Sequence, residues 1–102
     1  MNKIIMVSGK YRANSEYELE QNIRAAETAS IKLWQSGWIV ICPHLNSARM
    51  GGSCDDNVWL NGYIEILRRC DAIFMLKKWH ESEGAIKEHS EAIKLKIEVL
   101  YE

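Results

Sequence analysis

Apolar residues in this chain follow two rhythms. Four short runs rich in apolar residues, at residues 3–7, 38–42, 72–76 and 97–101, alternate with segments in which apolar residues return every three or four positions. The runs read as strands and the segments as helices, the alternation that builds a parallel sheet with crossover helices. The first run ends in the turn Ser8-Gly9-Lys10-Tyr11-Arg12. Ser15, with Glu18 three residues on, forms a capping box that opens a helix. Leu19, Ile23, Ala26, Ser30 and Leu33 recur along it at helical spacing, and Gly37 stops it. Pro43 closes the second strand. Residues 44–53 have no period and contain Gly51-Gly52, which predicts a loop. Asp55 or Asp56 then caps a helix whose inner face is Trp59, Tyr63, Ile66, Leu67 and Cys70. Asp71 precedes the third strand, and a last helix is expected over residues 84–96, ahead of the closing strand.

The expected fold is therefore α/β: a doubly wound, flavodoxin- or Rossmann-like parallel sheet of four or five strands between two helical layers, with right-handed crossovers. Three strand-to-helix loops, residues 8–14, 43–55 and 77–83, open on one edge of such a sheet, so one cleft can collect residues from all three. With 102 residues and no repeat or linker, residues 1–102 read as a single domain with one core.

Composition removes several function classes. A net charge of −1 with both signs scattered gives no electrostatic footprint for a nucleic-acid polymer or an anionic membrane. No apolar run approaches the roughly 18 residues that span a bilayer, and the first residues lack a signal-peptide pattern. Cys42, Cys54 and Cys70 are odd in number and widely spaced, which reads as reduced thiols in a cytoplasmic protein, with no metal site and no cofactor expected.

The candidate chemistry lies in the last helix. Ala85, Ala92 and Leu95 mark one side of its apolar face, and Ile86 and Ile93 the other; Glu88 and His89 fall inside that arc. A carboxylate aimed inward just past a strand end is where open α/β sheets place their chemistry. Near a helix N-terminus, the dipole and free N–H groups are expected to hold it ionised, as a nucleophile or base requires. The plainer reading, a dipole-complementing or salt-bridged glutamate, has about equal weight. Ser82 reads as a helix N-cap, a role compatible with holding an anion together with the amides that follow it. After the first strand, Gly9 lets a ligand approach the backbone and Arg12 suits a phosphate, although one glycine falls well short of a phosphate-loop fingerprint. Trp79 either stacks a base or sugar or packs against a partner subunit. His44 and His89 are more often satisfied hydrogen-bonding residues than catalysts, and Lys77-Lys78 reads as a solvated pair. The Trp59, Tyr63 and Leu67 stripe reads as core.

Taken together, Ile4-Ile5-Met6-Val7-Ser8-Gly9-Lys10-Tyr11-Arg12, Gly37-Trp38-Ile39-Val40-Ile41-Cys42-Pro43-His44, Leu67-Arg68-Arg69-Cys70-Asp71-Ala72 and the segment carrying Ser82, Gly84, Ala85, Glu88 and Ala92 resemble the nucleoside 2-deoxyribosyltransferase-like superfamily. The closest branch is one of small bacterial and phage proteins, DUF4406-like. The resemblance implies cleavage of the N-glycosidic bond of a nucleoside or nucleotide, with Glu88 as the nucleophile that forms a glycosyl-enzyme intermediate. The logic parallels retaining glycoside hydrolysis. It also implies that Ser82 lies beside a 5′-phosphate, where the family's transferases carry an acidic residue for a free 5′-hydroxyl. A hydroxyl does not repel phosphate as a carboxylate would, so Ser82 and Arg12 point to a nucleoside 5′-monophosphate. Ser8, Gly9 and Gly84 would complete the cradle, with Trp79, His44 and Tyr11 flanking the base.

One position departs from the family. Its enzymes place an aspartate eight residues before the position of Asp71, and here that residue is Tyr63. Tyr63 as a phenolic donor, or Asp55, Asp56 or Glu65, are the substitutes on offer, and Asp71 itself is expected to be structural. The alternatives to an enzyme are a non-catalytic module that binds a nucleotide or sugar phosphate, and an interaction protein with a vestigial cleft. Family members are typically dimers or larger, so a homodimer or higher homo-oligomer is the expected state, and part of the site is open to contribution from a second subunit.

Overall fold

The computed structural model describes residues 2–102. Its four strands, β1 (Ile4–Ser8), β2 (Ile39–Ile41), β3 (Ala72–Met75) and β4 (Glu98–Tyr101), form one sheet in the order β2-β1-β3-β4. Every pairing is parallel. Helices cover both faces, giving the three-layer α/β arrangement expected, with four strands. The chain runs outward from β1 to β2, then crosses back to β3 and β4. The direction of winding thus reverses beside β1, the place where such sheets open a crevice at their carboxyl ends.

The period of two along β1 decides what each face receives. Ile5 and Val7 join Ala26, Ala29 and Leu33 of α1 (Glu16–Gln35) in one core cluster. Met6 points the other way, into a cluster with Tyr63 and Leu67 of α3 (Asp56–Leu67) and Ala85 and Ala92 of α4 (Glu83–Lys94). Ser8 shares the parity of Met6, so the last side chain of β1 is delivered beneath α4. Asp71 is structural: its carboxylate accepts from the Ile4 amide at 2.8 Å, while its own amide donates to the Ile4 carbonyl at 2.8 Å. The two bonds fix the start of β1 against the entrance of β3.

Ser15 caps α1, its hydroxyl accepting from the Glu18 amide at 3.1 Å, and Gly37 follows with φ of 99°, a turn favouring glycine. Two expectations need correction. The aperiodic stretch after Pro43 is not all loop, because Pro43–Asn46 forms a short helix, α2. Proline at its first position supplies a preset φ and loses no intrahelical bond. The apolar arc of α4 is also narrower than its sequence suggests. Ala85, Glu88 and Ala92 are buried, whereas Ile86, Ile93 and Leu95 are 43%, 55% and 40% exposed. Alanines at the contact leave only a thin strip of helix covered, and the larger residues flanking it stay outside. The predicted helix limits shift by one or two residues, from 84–96 to Glu83–Lys94. Among the described residues, no helix is long and apolar enough to cross a membrane.

Candidate functional site

A cleft of about 700 Å³ opens at the carboxyl end of the sheet. Its walls come from all three strand-to-helix loops, as their common edge requires. Of the residues singled out from sequence, Ser8, Gly9, Tyr11, Arg12, His44, Tyr63, Ser82, Gly84 and Glu88 line it. Trp79 does not. It is half-buried in the single 3-10 turn Trp79–Glu81, stacked on His89 at 4.3 Å between ring centroids and tilted against Tyr101. His89 shares a hydrogen bond of 2.7 Å with the Tyr101 hydroxyl. The aromatic group sequence offered to a base is therefore occupied by its own neighbours.

Glu88 forms the floor. Its residue is 8% exposed, and Oε1 accepts a hydrogen bond of 2.6 Å from the hydroxyl of Ser8, itself 1% exposed. The expectation that the helix end holds this carboxylate ionised is not met. Glu88 is the sixth residue of α4, beyond the four amides left free at a helix start. Burial pushes its pKa up, and the Ser8 hydrogen bond pulls part of the way back. The group that stabilises the anion is thus a strand-end hydroxyl rather than a helix dipole.

Ser82 stands at the N-cap, its hydroxyl accepting from the Ala85 amide at 3.1 Å. The Ile86 amide is taken by the Ser82 carbonyl at 2.9 Å, which leaves the Glu83 and Gly84 amides without a partner among the described residues. These two amides, with the remaining donor of the Ser82 hydroxyl, are suited to an anion at the head of a twelve-residue helix. An added Cβ on Gly84 would meet only ordinary contacts, at 3.9 Å. Gly9 is different. A Cβ there would come within 2.6 Å of the Leu76 side chain, so this glycine is required for packing beneath the loop. That packing reason stands beside the expected one, close approach of a ligand, since Gly9 also lines the cleft.

The rim is held by ion pairs that sequence reasoning missed. Lys10 pairs with Glu81 at 2.9 Å, and Arg12 pairs with Asp56. The two pairs tie the β1 loop to the β3–α4 turn on one side and to the head of α3 on the other. The hydrogen bond and charge of Lys10 lower the pKa of Glu81. In total the wall carries three cationic side chains (Lys10, Arg12 and Lys87) and four acidic ones (Asp56, Glu81, Glu83 and Glu88). No net positive field follows from that balance, and an anion that recruits Arg12 or Lys10 must displace the carboxylate paired with it. The only sequence signal for these pairs was the location of Lys10, Arg12 and Glu81 in loops converging on one edge, with Asp56 at the head of α3.

Tyr63 reaches the cleft from α3, but its hydroxyl is already engaged. It donates to the Ser47 hydroxyl at 2.8 Å and accepts from the Asn46 amide at 3.1 Å. Of the carboxylates offered from sequence as substitutes at the Tyr63 position, Asp55 and Glu65 do not line the cleft, and Asp56 is bound to Arg12. Glu83, at the first position of α4, is the cleft carboxylate besides Glu88 with no ion pair among the described residues. His44 sits on α2, 4% exposed, with Nε2 3.0 Å from the Lys10 carbonyl and the Tyr11 ring edge-on at 5.5 Å. Burial lowers its pKa. Cys42, Cys54 and Cys70 are free thiols, and the described residues contain no group of three side chains placed to hold a metal ion.

A parallel α/β sheet with a carboxylate-floored cleft at its carboxyl end defines the class of architecture. The chain belongs to the family described as "Domain of unknown function (DUF4406)", whose profile matches residues 3–101. No curated protein matches the chain.

Proposed function

We propose that this protein is an N-glycosidase- or 2-deoxyribosyltransferase-like enzyme acting on a (deoxy)nucleoside 5′-monophosphate, with Glu88 as nucleophile. The proposal extends the resemblance to the nucleoside 2-deoxyribosyltransferase-like superfamily. The observation that carries it is the buried Glu88 at the cleft floor, held by the Ser8 hydroxyl at 2.6 Å. In the proposed reaction the Glu88 carboxylate bonds to the anomeric carbon as the glycosidic C–N bond breaks, and the bonding pair leaves with the base, which gains a proton. Water or an acceptor base then displaces the carboxylate. The Glu83 and Gly84 amides, Ser82 and Arg12 would hold the phosphate. Homodimer or higher assembly and a reducing, cytoplasmic setting accompany this reading. The test is release of free base from a panel of nucleoside monophosphates by wild type and Glu88→Ala. Turnover that survives the substitution sinks the nucleophile role.

A second reading, a nucleotide- or sugar-phosphate-binding module without turnover, is favoured by one observation. The phenol of Tyr63, at the position of the family's aspartate, is committed to Ser47. Nucleotide binding by calorimetry with no base release, including for 2′-deoxy substrates, is its signature.

A further inference from the structure

One polar atom at the cleft is left without a partner. His44 lines the wall and is 4% exposed, yet its Nδ1 is buried with no hydrogen bond among the described residues. Its state follows from the other nitrogen. Nε2 lies 3.0 Å from the Lys10 carbonyl oxygen, which only accepts, so Nε2 carries the proton and donates. A neutral ring with that tautomer presents a bare lone pair at Nδ1. Burial favours the neutral ring, in agreement with the geometry. Buried acceptors are satisfied in the great majority of cases, and leaving one bare is costly. The Tyr11 ring stands edge-on to the imidazole at 5.5 Å, and both residues line the cleft.

We propose that the nucleotide bound in this cleft presents a hydrogen-bond donor, an N–H or O–H, to Nδ1 of His44. The inference rests on the nucleotide reading above and adds the polarity of one contact: His44 selects for a donor and against an acceptor or an apolar group. The donor has two chemical sources, an exocyclic amine of the base and a sugar hydroxyl. Lys10, through its backbone carbonyl, fixes the tautomer on which the selection depends, so the rim loop and the recognition of the ligand are coupled through one hydrogen bond.

The experiment uses the whole chain and two measurements. The first is the 15N spectrum of the His44 imidazole in the free protein at neutral pH, which should show the Nε2–H tautomer. A protonated Nδ1 overturns the proposal outright. The second is calorimetry with the common ribo- and deoxyribonucleoside 5′-monophosphates, followed by analogues of the tightest binder that lack one sugar hydroxyl or one base N–H donor. Deleting the donor that meets Nδ1 should weaken binding by roughly 5- to 150-fold, the penalty for an unpaired buried acceptor. The analogue that suffers tells whether the donor belongs to the sugar or the base. His44→Phe should bind the parent and that analogue alike, and if this variant fails to fold, the wild-type analogue series still decides. Nucleotide binding with no dependence on any donor overturns this inference and leaves the nucleotide reading standing. No nucleotide binding at all overturns both.

Discussion

The cleft contains the same chemical pairing, a carboxylate with a hydrogen-bond donor, in two settings. On the floor, Glu88 and Ser8 are buried and meet at 2.6 Å, with no cation in the pair. On the rim, Glu81 meets Lys10 and Asp56 meets Arg12, in ion pairs with much of both side chains in water. Burial reverses the consequence of the pairing. It pushes the Glu88 pKa up despite the Ser8 hydrogen bond, whereas the cation beside Glu81 pulls that pKa down. A carboxylate pressed into a poorly solvated site is a strained, reactive group; a solvated one beside a lysine is a satisfied one. The chain keeps its desolvated carboxylate on the cleft floor and its ion-paired ones where the loops are tethered.

The largest expected effect breaks the floor directly. On the enzyme reading, Glu88→Gln keeps the shape and the Ser8 neighbour but removes the nucleophile, and base release should fall by roughly 10⁴-fold or more. The same substitution should stabilise the fold at neutral pH, and the sign can be worked through. A carboxyl whose folded pKa lies above its unfolded value, near 4.5, contributes stability that is fully present below that value. The contribution is lost as pH rises through the folded pKa. Melting curves of wild type and Glu88→Gln should therefore diverge as pH rises above about 4.5, with the glutamine form gaining. A wild type that gains on the variant over that range would show that Glu88 is stabilised by its site rather than strained.

Ser8→Ala sharpens the same contrast. It removes the hydrogen bond from Ser8, the one that the Glu88 side chain receives among the described residues, and should cost about 1–3 kcal/mol by chemical denaturation, since a buried carboxylate is left unpaired. It should also carry the acid limb of any activity profile to higher pH, because the remaining influence on Glu88 is desolvation. An acid limb that stays in place would assign it to some other group.

How far these features could be read from the residues differs between fold and site. The alternation of strands and helices, the capping box at Ser15 and the convergence of three loops follow from period, caps and connectivity. Glu88 stood out for the same reason, a charge at an apolar position of a helix. Its partner did not, although the parity of β1 sends Ser8 to the face of Met6 and hence toward α4. The helix at Pro43–Asn46 is one turn long and shows no period, so it was invisible to pattern and with it the burial of His44. The packing role of Gly9 was not legible because sequence does not reveal that Leu76 lies beneath it. The rim pairs join residues far apart in the chain, Lys10 to Glu81 and Arg12 to Asp56, and no local rule selects such partners.

Tyr63→Phe falls between floor and rim. Tyr63 is 8% exposed, and its hydroxyl links α3 to Asn46 and Ser47. Its loss should cost about 1–3 kcal/mol, the net worth of two ordinary hydrogen bonds. If the phenol is structural, kcat for base release should stay within a few-fold of wild type. A fall that tracks the pKa of the leaving base would instead make Tyr63 the proton donor and return it to the role of the missing aspartate.

The smallest effect on stability belongs to the rim. Lys10→Met and Arg12→Met each remove an exposed ion pair, and such pairs contribute little once solvent and salt screen them. Melting temperatures should therefore barely move, and what difference there is should vanish in high salt. Binding should respond differently. The cleft has as many acidic side chains as basic ones without counting Glu88, so on the nucleotide reading a phosphate gains from Arg12 only if the guanidinium leaves Asp56. Arg12→Met should weaken nucleoside monophosphate binding far more than binding of the corresponding nucleoside. Asp56→Asn should strengthen it by freeing the guanidinium, with the gain shrinking as ionic strength rises. If Asp56→Asn instead weakens phosphate binding, the carboxylate positions Arg12 for the ligand rather than competing with it, and the rim would be part of the built site.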